Sequence, residues 1–189
     1  MALVFYTVAM NSHLLFFTLT VQNLLTTFEA FESAAYLCPA NKLTIGYGHV
    51  LLPSDYTLFD GVSRNFLTSA ITMCTRQRRV SDEVKRILWI NKDQALQLLR
   101  HDVTIASEAV KSITRVPLSQ NQFDALVSLV FNIGQGQYAA STLRKKLLNR
   151  DYAGAAVQFE RWIYSDGKVL NGLKKRRANE RKLFETPDA

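Results

Sequence analysis

The segment FEAFESAAYLCPANKLTIGYGH, residues 28–49, decides how this chain reads. It sets an acid, Glu29, ahead of a proline-bearing bend and then a run in which small and large residues alternate. Upstream, residues 14–33 hold neither proline nor glycine, so a helix is expected there with Glu29 near its C-terminal end. The negative end of the helix dipole disfavours an ionised carboxylate, which suits a group that must hold a proton. Within CPAN, 38–41, Pro39 takes the second position of a turn. The strand expected next turns Thr44, Gly46 and Gly48 to one side and Leu43, Ile45 and Tyr47 to the other. A face of one hydroxyl and two glycines leaves backbone open to a ligand, while the apolar face packs.

Beyond this segment, residues 50–88 read as a loop followed by a helix that Ser81 caps. From Asn91 onward the pattern is helical. SQNQFDALVSLVFNIG opens on a capping box of Ser119 and Gln122 and closes at Gly134. Three more helices are expected behind Ser141, Asp151 and Asn171. There is no internal repeat and no low-complexity linker. With 189 residues, 48% of them hydrophobic, the chain has material for one or two small domains. The expected class is α+β and mainly helical, with a small lobe carrying a short antiparallel sheet and a larger C-terminal helical lobe.

The net charge of +7 predicts attraction to something acidic: nucleic acid, a membrane surface or a bacterial envelope. No Lys or Arg precedes Lys42, and the cations gather in RQRR, 76–79, and KKRRANERK, 174–182, each read first as a solvated face. Cys38 and Cys74 are too few for a disulfide scaffold and lack the neighbours of a metal site. Residues 1–27 are apolar but interrupted by Asn11, Ser12, His13, Gln22 and Asn23, and they lack a positive leader. Two readings stay open for them: a helix packed on the domain, or a membrane-engaging segment. His49 reads as a hydrogen-bonded structural residue, Trp89 and Trp162 as packing, and Cys74 as a free thiol without a catalytic part.

Hydrolysis of a glycosidic bond needs an acid for the leaving oxygen and a second group that directs water or attacks the sugar. A hairpin would carry Cys38 and Thr44 to the mouth of the helix that ends at Glu29. A thiolate serves as base or nucleophile, and a hydroxyl can hold a water.

The spacing Glu-x8-Cys-x5-Thr followed by TIGYGH resembles the active-site signature of the phage-type lysozymes, the glycoside hydrolase 24 family, whose second position is Asp or Cys. Residues 118–184 are similar to the C-terminal lobe of endolysins of lambda-like phages and prophages. The resemblance implies a lysozyme-like fold and a muramidase that cleaves the β-1,4 bond between N-acetylmuramic acid and N-acetylglucosamine in peptidoglycan. It makes Glu29 the general acid, puts Cys38 in place of the catalytic Asp and has Thr44 position the water. Gly46, Tyr47 and Gly48 would line the cleft from the strand side, and Phe131, Asn132, Gly134, Ser141 and Thr142 from the helical lobe. Arg176 or Arg177 would lie beside Glu29 and oppose the dipole, which leaves its protonation open.

On the same resemblance no metal or organic cofactor is expected, and the chain would be a monomer made in the host cytoplasm and acting in the periplasm. Its partners would be glycan strands and an anionic envelope or membrane surface, not nucleic acid, since no recognition motif accompanies the basic run. Cysteine in place of aspartate leaves the stereochemical outcome open between inversion and retention. Residues 50–89 form an insertion that either caps the cleft or extends the small lobe. The rivals are a lytic transglycosylase acting on the same bond and a non-catalytic peptidoglycan-binding module; residues 28–189 are expected to form a single lysozyme-like catalytic domain.

Overall fold

Val21 and Leu25, one helical turn apart, are fully buried and seat helix α1 (Leu19–Phe28) against α5 (Gln120–Ile133). The computed structural model describes residues 19–165 and 167–188. Residues 1–18 of the N-terminal segment lie outside these, and among the described residues no helix is long and apolar enough to cross a membrane. Helix α1 stops earlier than the expected 33: the Glu29 N–H closes its last bond to the Leu25 carbonyl at 2.8 Å. Strand β1 (Glu32–Leu37) begins three residues later because Ala35 and Ser33 bond to Leu88 and Ile90, forming a bridge between Ala34 and Trp89.

Strand β1 pairs antiparallel with β2 (Leu43–Gly46), and β2 with β3 (His49–Val50), giving a three-stranded sheet in chain order. The bend between the first two strands is the expected turn, with the Asn41 N–H bonded to the Cys38 carbonyl at 2.8 Å. Beyond it the expected alternation fails. All four residues of β2 are buried, and the strand ends at Gly46, where φ of +66° turns the chain toward β3.

The segment after β3 is more ordered than a loop. A 3-10 turn (Pro53–Leu58) leads to α2 (Arg64–Gln77), a helix the sequence reading did not foresee, and then to α3 (Asp82–Ile87). Ser63 caps α2 by accepting the Phe66 N–H, while Leu67, Ala70 and Cys74 bury one face against the small lobe. Ser81 caps α3 as expected.

The 22-residue α4 (Lys92–Ile113) leads from the small lobe to the helical one and opens on a capping box of Asn91 and Gln94. Helix α5 carries the expected box of Ser119 and Gln122 and closes at Gly134; its buried run from Phe123 to Val130 is the centre of the core. Short α6 (Gln135–Ala140) was not foreseen; α7 (Thr142–Leu148) and α8 (Tyr152–Val157) start behind Ser141 and Asp151 as expected. A hairpin of β4 (Tyr164–Ser165) and β5 (Lys168–Val169) precedes α9 (Asn171–Glu185), which packs on α5. Asn171 is the first helical residue of α9, and Leu170 holds the cap position without a side-chain bond.

Candidate active site

The end of α1 places Glu29 where the sheet, α5 and α9 meet, in a cleft of about 400 Å³. On the sheet side the walls are Tyr36, the 38–40 bend, Lys42, Thr44, Gly48 and Val50; opposite lie Phe131, Asn132 and Ile133 of α5. Trp162, the hairpin residues Tyr164 and Ser165, and Leu170 and Leu173 complete it. Of the expected insertion 50–89 Val50 alone lines the cleft, so the rest of it builds out the small lobe and does not cap the site.

Glu29, Cys38 and Thr44 are brought to the same cleft. The hairpin sets the spacing of the last two: Leu37 pairs with Leu43, Tyr36 with Thr44, and the Cys38 N–H with the Lys42 carbonyl at 3.0 Å. The Thr44 hydroxyl donates to the Lys42 carbonyl at 2.9 Å, which commits its proton and leaves its lone pairs to accept. Cys38 is a free, half-buried thiol.

Of the two arginines expected near Glu29, Arg176 is the one in contact. Its guanidinium donates to the Glu29 carboxylate, lies 5.8 Å from the Phe28 ring centre and 6.0 Å from that of Phe131, and is almost fully buried. Behind it, Glu180 accepts from Arg176 Nε at 3.2 Å, from Arg177 Nη2 at 3.0 Å and from the Ser128 hydroxyl at 2.6 Å. Arg177 in turn donates to the Asn132 side chain at 3.1 Å, which fixes an amide on the cleft wall. Burial pulls the Arg177 guanidinium down to about 10 and pushes the Glu180 carboxyl up, although the pair attract each other. Tyr36 is pushed up to about 12, first by burial and then by the charges of Glu29, Cys38 and Glu32, so its hydroxyl stays a neutral donor.

The two glycines of the TIGYGH motif do different work. A Cβ on Gly48 would stand 3.2 Å from Glu29 Oε2, so its missing side chain makes room for the acid. A Cβ on Gly46 would meet Ala95 Cβ at 3.1 Å and Ile90 Cδ1 at 3.3 Å, so Gly46 faces the small-lobe core and not the cleft. Tyr47 also lies away from the cleft, buried with its ring 5.6 Å from that of Phe31. Gly134, Ser141 and Thr142 are outside the cleft wall as well: Gly134 joins α5 to α6, Ser141 caps α7 and Thr142 is its first residue. Gly134, with φ of +83°, and Ser141, which accepts the Arg144 N–H at 3.0 Å, are helix boundaries.

His49 is structural, its ring bonded to Asp102 at 2.8 Å and Asp55 at 3.2 Å. Cys74 is a buried free thiol, and burial pushes it up. Trp162 packs on the core and also lines the cleft, whereas Trp89 is 54% exposed and is not packing material at all. Sequence reasoning missed Glu180 and Ser128, which have no local signature, and the hairpin 164–169, whose Asp-Gly pair between short β-formers was the available signal. Among the described residues no group of His, Cys, Asp and Glu could hold a metal ion.

A small sheet lobe and a helical lobe that meet at an acid-bearing cleft are the arrangement of a lysozyme-like glycoside hydrolase. The chain belongs to the phage lysozyme family, whose model matches residues 26–180. It is 35% identical over 169 residues to an endolysin of Acyrthosiphon pisum secondary endosymbiont phage 1, covering 86% of this chain and 93% of that one. It is 32% identical over 118 residues to a SAR-endolysin of Escherichia phage Mu, covering 62% of this chain and 67% of that one. The crystal structure of a P22 lysozyme mutant matches its fold with a TM-score of 0.64 at 31% identity, covering 89% of this chain and 97% of that one. The activity is therefore that of a phage endolysin, hydrolysis of peptidoglycan in host-cell lysis.

Proposed function

We propose that Glu29 is the general acid for cleavage of the β-1,4 bond between N-acetylmuramic acid and N-acetylglucosamine, with Thr44 and Cys38 serving the water. The observation that carries this reading is the place of Glu29, on the wall of the cleft that Cys38 and Thr44 also line. Glu29 delivers a proton to the leaving oxygen as the bond from that oxygen to the anomeric carbon breaks. Because the Thr44 hydroxyl donates its hydrogen bond to the Lys42 carbonyl, its oxygen accepts a hydrogen bond from the attacking water, which aims a water lone pair at the anomeric carbon. The Cys38 sulfur, acting as base, takes the proton the water loses. Water attack gives inversion; attack by sulfur would give a covalent intermediate and retention.

Digestion of purified peptidoglycan in H₂18O tests the assignment. Reducing-end products carrying the heavy oxygen, absent with Glu29→Gln and much reduced with Cys38→Ala, are the expected result. Anhydro-sugar products would point to a transglycosylase, and no cleavage by folded protein to a binding module.

Within the N-terminal segment 1–27, residues 19–27 belong to the helix packed on α5, and we read the apolar stretch ahead of it as engaging the inner membrane during export, supported by its composition and by the similarity to a SAR-endolysin. The catalytic chain is read as a monomer, its net charge of +7 drawing it to the anionic envelope. Fractionation of expressing cells tests the first point, since a chain lacking residues 2–18, which keeps α1, should remain cytoplasmic.

A further inference from the structure

Tyr36 belongs to the walls of two concavities. One is the cleft; the other is a groove of about 430 Å³ completed by Leu37, Arg78, Arg79, Val80, Asp82 and Lys85. The two therefore meet at one side chain. Arg78, Arg79 and Lys85 are exposed and take part in no ion pair among the described residues, while Asp82 is the one carboxylate of the lining. A cation run of this kind is commonly a solvated face, with its charges spread around a helix. Here the charges come from the end of α2 and from α3, two separate helices, and converge on one groove.

The groove wall is rigid. Arg78 closes α2 in the left-handed conformation, and the N–H groups of Arg78 and Arg79 both bond to the carbonyl of buried Cys74. The Leu88 carbonyl ties the end of α3 to Ala35 of β1 at 3.0 Å. The Asn41 side chain ties the active-site bend to the Thr75 carbonyl of α2, also at 3.0 Å. Groove and cleft are thus held in fixed relation.

We propose that this groove is an accessory subsite for the free carboxylates of the peptide stems that peptidoglycan glycan strands carry. A strand in the cleft brings its stems past Tyr36 to two guanidinium groups, whose fork suits a carboxylate, and to the Lys85 ammonium. The inference rests on the reading of the cleft as the glycan site. An envelope phosphate would offer similar charge, and the test separates the two.

The experiment compares wild type with Arg79→Gln/Lys85→Gln, and with Lys145→Gln/Arg150→Gln as a pair that loses the same charge at exposed positions elsewhere. Each is measured for KM, kcat and Kd on soluble uncross-linked glycan strands, with stem peptides intact and after an amidase has removed them. The expected result is a rise in KM and Kd of about five-fold on intact strands for the groove pair alone, with kcat unchanged. The effect should vanish on stripped strands and shrink with added salt. An equal rise for the control pair, or an equal rise on stripped strands, overturns the proposal. So does a groove pair that loses binding to vesicles of anionic phospholipid while its affinity for intact strands matches wild type. If wild type binds but cleaves neither strand, the catalytic reading falls while the Kd values still judge the groove.

Discussion

The Arg176 guanidinium donates to the carboxylate of Glu29, a residue 147 positions earlier in the chain, and is itself held from behind by the buried Glu180. Removal of Arg176 therefore affects both carboxylates. Arg176→Met should destabilise the protein by about 3–5 kcal/mol, because it leaves Glu180 in a dry site with one cation fewer. Chemical denaturation checks this, and a loss below about 1 kcal/mol would show that the network contributes little.

Gly48→Ala and Gly46→Ala should separate activity from stability. Both positions have positive φ, so each substitution carries about 1–2 kcal/mol of backbone strain. At position 48 the new methyl also meets Glu29 Oε2, and kcat should fall about 100-fold as the acid is displaced. At position 46 the methyl meets Ala95 and Ile90, so the midpoint of unfolding should drop further while kcat of the folded fraction holds. Equal kcat losses in the two variants would contradict this assignment.

Stability should decline as pH rises through the titration of His49. Burial disfavours its imidazolium, but the hydrogen bond and charge of Asp102, then those of Asp55, outweigh it and raise the folded value above 6.5. The native state thus holds a proton that the unfolded chain releases. The stabilisation is complete below about 6.5 and is lost as pH climbs to the folded value, with a slope of at most about 1.4 kcal/mol per pH unit. His49→Asn should flatten that slope in denaturation measured from pH 6 upward, about 6 being where the unfolded histidine starts to release its proton. An unchanged slope would remove His49 as its source.

The two thiols should differ in reactivity. Cys38 lines the cleft, whereas Cys74 is 3% exposed and held protonated by burial. Native protein treated with iodoacetamide should be alkylated at Cys38 and lose activity, with Cys74 unmodified by peptide mass spectrometry. Cys38→Asp should keep activity under the same treatment.

Elements that announce themselves locally were legible in the sequence. Asn91, Ser119, Ser141 and Ser81 each cap a helix through a side chain three residues from its target, a signal contained in one turn. Helix α2 was missed although Ser63 precedes it and Leu67, Ala70 and Cys74 keep helical spacing, because neighbouring Asp60, Gly61 and Pro53 gave the region a loop character. In the site, the Glu29, Cys38 and Thr44 spacing could be read because one hairpin sets it. The roles of Gly46 and Gly48 could not, since two glycines two residues apart differ only in what packs against them: Ala95 for one, Glu29 for the other. Arg176 and Arg177 were likewise inseparable until α9 was given its rotation.

Helix α1 belongs to the larger lobe by its packing on α5, yet the chain makes it before the whole sheet lobe. During synthesis Glu29 therefore emerges from the ribosome long before the helix that receives α1, and Arg176 emerges later still. A chain that has made only its sheet lobe holds Glu29, Cys38 and Thr44 without the wall that opposes them. The wall of the cleft is therefore complete only when α5 and the start of α9 have been made.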